Sequence, residues 1–101
     1  KPMIVQVGRP FTLSLASNPT TGYHWQFATP LDEMHLKLLK AEYKKPESNW
    51  AGNEGTEIWE FKPLAEGETQ IQLKYARPWE TDAAPVHTTN FLVKIVKKAG
   101  V

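Results

Sequence analysis

Apolar and polar residues alternate with a period of two along most of this chain, the spacing of strands that bury one face. Phe11, Leu13 and Leu15 alternate with Thr12, Ser14 and Ala16, and Ile71, Leu73 and Tyr75 alternate with Gln70, Gln72 and Lys74. Trp59 and Phe61 point one way, and Glu57, Glu60 and Lys62 are read around them on the other positions. Near the end, Phe91, Val93 and Ile95 form an inward row with Lys94 facing out. Further strands are read over residues 3–7, 23–27 and 36–43. Helical spacing can be drawn through Leu31, Met34, Leu38 and Leu39, but Pro30 and Pro46 bound that stretch and it is read as strand.

Turn chemistry separates these runs at Gly8-Arg9-Pro10, from Asn18 to Gly22, from Gly52 to Gly55, at Ala65-Glu66-Gly67 and at Arg77-Pro78. About seven short strands joined in this way predict an all-β chain, an antiparallel β-sandwich of immunoglobulin-like type. The cysteines of antibody domains are missing, so the expectation concerns architecture alone. The length of 101 residues, without internal repeat or linker, predicts a single domain spanning 1–101.

Composition removes several classes of function. A formal net charge of +1 supplies no field for nucleic acid or an acidic membrane, and Lys44-Lys45 and Lys97-Lys98 are short and not interleaved with aromatics. The absence of cysteine excludes disulfides, thiol nucleophiles and thiolate metal sites. His24, His35 and His87 are isolated, without metal-ligand spacing, and Ser14, Ser17 and Ser48 lack the Gly-x-Ser-x-Gly elbow. Glu57 and Glu60 are read as solvated face charges rather than a catalytic pair. No cofactor, metal, nucleic-acid or membrane partner is expected, and no apolar run approaches the length that spans a bilayer. The chain begins at Lys1, which reads as a processed or trimmed product; a removed leader would imply secretion or a periplasmic site.

Two strings stand apart from the strands. In Asn18-Pro19-Thr20-Thr21-Gly22-Tyr23, Pro19 fixes its φ, Gly22 permits a positive φ and Asn18 can cap the turn, all of which suits a plain strand connection. Yet Thr20 and Thr21 at the apex are small and polar, with little conformational entropy to lose on docking. In Arg77-Pro78-Trp79, tryptophan by itself reads as core. Here the chain has left the strand that ends near Tyr75, and Trp79 runs into the polar Glu80, Thr81 and Asp82. An exposed aromatic on a proline-stiffened turn is a suitable binding anchor. A third loop, Gly52-Asn53-Glu54-Gly55, reads on composition as a flexible hairpin connection.

In this order the strings resemble the chagasin-type inhibitors of papain-like cysteine proteases, and the likeness spans nearly the whole chain, least distinctively over residues 31–51. The third loop matches a family pattern Gly-x-Gly-Gly, with Glu54 in place of a glycine, and Trp59-Glu60-Phe61 and Gly67-Glu68 follow in family-like succession. The resemblance implies a monomeric, reversible, tight-binding inhibitor rather than an enzyme. It further implies that residues 18–23 form a central wedge beside the catalytic cysteine of the protease, flanked by residues 52–55 and 77–79. Arg77 is expected to brace its loop internally. An adhesion or carbohydrate-binding sandwich, with Trp79 and Trp50 stacking on sugar or peptide, is the rival reading, since one sandwich fold hosts many functions.

Overall fold

A computed structural model describes residues 2–46, 54–80 and 83–98. Among these residues the chain forms seven strands: β1 Met3–Gln6, β2 Phe11–Ser17, β3 His24–Phe27, β4 Leu36–Lys44, β5 Gly55–Pro63, β6 Gly67–Ala76 and β7 His87–Val96. They build two sheets, of order β1-β7-β6-β3 and β2-β5-β4. The result is the immunoglobulin-like sandwich expected from the alternation. One pairing departs from the antiparallel expectation: β1 runs parallel to β7, with Met3 opposite Val93 and Gln6 opposite Val96. Parallel neighbours need a long connection, and here all the intervening strands supply it.

The inward rows meet between the sheets. Leu13, Leu15, Leu36, Trp59, Phe61, Ile71, Leu73, Val93 and Ile95 are the buried core. Phe27 meets the Trp59 ring edge-on at 5.1 Å, while Phe11 stacks on Phe61 at 5.7 Å. Phe61 is wholly buried, so its truncation to alanine would cost about 3–5 kcal/mol. Of the stretch that also carried helical spacing, Leu38 and Leu39 lie in strand β4 while Leu31 and Met34 precede it, Met34 in a turn; Leu36 is fully buried and β4 pairs with β5 as far as Lys44, with a register shift between Leu38 and Lys40.

Glu57 corrects the reading of solvated face charges. It shares parity with Trp59 and Phe61 on β5, so its side chain enters the sandwich and is 8% exposed, whereas Glu60 lies on the other face. A carboxylate held there needs donors, and Ser17, Trp25 and Trp59 supply them.

Strand direction decides where the connections go. The end of β2 lies beside the start of β5, since Ser17 pairs with Gly55, and the end of β4 lies there too, since Lys44 pairs with Thr56. In the other sheet the start of β3 meets the end of β6, His24 opposite Ala76, and Tyr75 of β6 faces His87 at the start of β7. The β2–β3, β4–β5 and β6–β7 connections therefore leave one end of the sandwich. The β1–β2, β3–β4 and β5–β6 connections leave the other.

Candidate functional site

The β2–β3 connection crosses between the sheets in six residues, 18–23, and its middle is a single 3₁₀ turn, Pro19–Thr21. Asn18 organises it. The Asn18 carbonyl accepts from the Thr21 N–H at 3.2 Å and the Thr21 hydroxyl at 2.7 Å, and its side-chain oxygen accepts from the Thr20 hydroxyl at 2.6 Å. Both threonines are exposed at the tip. The Asn18 N–H donates to the Tyr75 phenol oxygen at 2.8 Å, which anchors the loop to the end of β6. Tyr75 also stacks on Tyr23 at 5.5 Å and tilts against Trp25 at 5.1 Å.

The β6–β7 connection closes on this loop from the side. The Arg77 Nε–H donates to the Thr21 carbonyl at 3.1 Å, and its guanidinium sits 4.5 Å from the centre of the Tyr23 ring. A second guanidinium nitrogen donates to Glu80 at 2.9 Å, and this hydrogen bond raises Arg77 further above its ordinary pKa. Arg77 thus braces the loops, as expected from the sequence. Trp79 is 67% exposed and is not core. Its ring lies over Gly22, which has φ +86°, and a Cβ built there would collide with Trp79 Cη2. Gly22 is therefore needed twice, for a left-handed backbone and for the tryptophan's seat. Pro78, between them, is exposed.

Of the third loop, Gly52 and Asn53 lie outside the described residues, as does Trp50. Glu54 is exposed, and Gly55 is buried as the first residue of β5. A Cβ on Gly55 would meet the Lys44 carbonyl and the Tyr43 hydroxyl, so this position admits glycine only where β4 and β5 come together. The geometry thus unites residues 18–23 with 77–79 by direct contact, and it brings the ends of the third connection to the same edge of the sandwich.

Beneath the tip lies a buried cluster that the sequence pattern did not disclose. Glu57 Oε2 accepts from the Ser17 hydroxyl at 2.6 Å and the Trp25 N–H at 3.2 Å, while Oε1 accepts from the Trp59 indole at 3.4 Å. Ser17 and Trp25 stand on either side of the 18–23 loop. The available signal is parity: Ser17 continues the inward row of Leu13 and Leu15, and Glu57 precedes that of Trp59 and Phe61. Among the described residues, no group of three or more His, Asp and Glu is placed to hold a metal ion.

The family model for chagasin family peptidase inhibitors matches residues 4–95, nearly the whole chain. The chain belongs to this family. The inhibitor is 32% identical to amoebiasin-2 of Entamoeba histolytica over 83 residues, covering 82% of this chain and 68% of that one. It is 34% identical to chagasin of Trypanosoma cruzi over 80 residues, covering 76% and 73%. The crystal structure of the cysteine protease inhibitor EhICP2 from Entamoeba histolytica superposes with a TM-score of 0.79 at 27% identity, covering 94% of this chain and 86% of that one. The protein is an inhibitor of papain-like cysteine proteases and not an enzyme.

Proposed function

We propose that the inhibitor acts by occlusion: residues 18–23 enter the protease cleft as a wedge, flanked by residues 77–79 on one side and 52–55 on the other. The reading rests on one observation, the hydrogen bond from Arg77 to the Thr21 carbonyl with Trp79 seated on Gly22, which makes two loops one preorganised edge. A rigid edge has little ordering entropy left to lose on docking, which favours affinity. Thr20 and Thr21 would fill the catalytic centre without presenting a placed scissile carbonyl, so the inhibitor contributes no covalent chemistry and stays intact. One monomer of the domain over residues 1–101 is the functional unit. Trp79 stands at the loop end rather than on a sheet face, which favours a cleft over a flat sugar platform.

Titration into active papain and a cathepsin with a fluorogenic substrate tests this. The expected result is stoichiometric, reversible inhibition with intact inhibitor recovered, and weaker binding to protease whose cysteine carries a small blocking group. Rapid cleavage between Asn18 and Tyr23 with loss of inhibition would overturn it.

A further inference from the structure

Glu57 is a carboxylate inside the sandwich that the occlusion mechanism does not use. It sits near the start of β5, the central strand of its sheet, opposite Leu15 on β2 and Tyr43 on β4. A strand position among aromatic rings would be filled more cheaply by an apolar residue, because taking a carboxylate out of water is costly unless donors surround it. The donors that surround this one are specific. Ser17 is the last residue of β2, directly before the loop, and Trp25 lies two residues beyond Tyr23 on β3. One oxygen, Oε2, takes hydrogen bonds from both. The two residues belong to different sheets, so no backbone ladder joins them. β3 is moreover the edge strand of its sheet, and Glu57 supplies an acceptor for one of its N–H groups. The Trp25 indole adds a second tie across the same stem by donating to the Ala16 carbonyl at 2.9 Å.

We infer that Glu57 is a positioning residue for inhibition: its carboxylate pinches the two ends of the 18–23 loop together across the sheets and sets the angle at which the wedge leaves the sandwich. This rests on the reading of that loop as the docking wedge. Without the pinch the loop samples several orientations, and the apparent affinity falls in proportion to the fraction that is docking-ready. The loss should then appear in the association rate, with the dissociation rate of the formed complex little changed.

The test compares Glu57→Leu, Glu57→Gln and Ser17→Ala with the parent, measuring amide hydrogen exchange over residues 18–23 in the free inhibitor and association and dissociation rates on papain. Glu57→Leu should speed exchange of the loop amides while core amides of β6 and β7 stay protected, and association should slow by about 10- to 100-fold. Glu57→Gln keeps one acceptor oxygen and should recover most of the parent's behaviour, with Ser17→Ala between the two. A folded Glu57→Leu or Ser17→Ala whose loop exchange and association both match the parent would overturn the inference; should Glu57→Leu not fold, Ser17→Ala decides the same question. A loop that loosens while inhibition stays at the parent level would leave the pinch standing and overturn the wedge reading instead.

Discussion

Gly22 and Trp79 should behave as one unit, and a double-mutant cycle measures how far they do. Gly22→Ala places a methyl where the Trp79 ring now rests, at a backbone φ of +86°. The backbone contribution is about 1–2 kcal/mol of stability, the usual cost of a left-handed conformation for a residue with a Cβ. The steric contribution falls on the ring, which must swing off its seat and lose its place beside the wedge. Trp79→Ala removes the same anchor directly. Only about a third of Trp79 is buried, so its truncation should cost about 1–1.7 kcal/mol of stability, a third of the value for a core aromatic. Its loss from the docking edge should cost about 2–4 kcal/mol of binding, or about 30- to 700-fold in the inhibition constant. If the seat is what Gly22 provides, Gly22→Ala should reproduce most of that binding loss. Introduced into Trp79→Ala, it should then add almost none, leaving only the backbone strain visible in the melting curve. The assay is an inhibition constant against papain and a melting temperature on each of the four proteins. Binding losses that add to within about 0.5 kcal/mol would mean instead that glycine and tryptophan act independently.

Arg77→Lys should weaken inhibition by roughly an order of magnitude with a near-parental melting temperature, because lysine keeps the charge but not the fork that serves Thr21 and Glu80 together; parental inhibition would remove the brace from the mechanism. At the opposite end of the sandwich, hydrogen bonds from Thr69 and then His35 hold Asp32 below its ordinary pKa. A depressed carboxylate contributes stability that is present above its unfolded pKa and lost as pH falls through the folded one. Asp32→Asn should therefore lower the melting temperature slightly near neutral pH and bring the two proteins together in strong acid; a pH-independent gap would contradict this. Glu54→Gly should broaden the range of proteases inhibited and Glu54→Gln recover part of that gain, most clearly for clefts with acidic walls and at low salt. Unchanged inhibition constants across proteases of differing cleft charge would make the third loop a bystander.

The strands and their buried faces were legible in the order of residues because a pleated strand turns each residue to the opposite side. Leu13, Leu15, Ile71, Leu73, Val93 and Ile95 declare their faces by spacing alone. The two exposed strings were legible for a related reason: proline and glycine mark where strands stop, and a tryptophan in such a turn has no sheet face to join. Glu57 was the exception, a charge at an inward position whose chemistry pointed outward while its parity pointed in. What local pattern leaves open is the partner across a gap, because a hydrogen bond between residues far apart in sequence leaves no periodic trace. The parallel pairing of β1 with β7, the reach of Arg77 to the Thr21 carbonyl, and the meeting of Ser17 and Trp25 on one carboxylate oxygen are of this kind. The first is fixed when β1 joins the sheet beside β7, but the contacts of Arg77 and Glu57 exist only once two sheets have packed and brought three connections to one end, since it is that packing which sets the distance between elements that share no ladder.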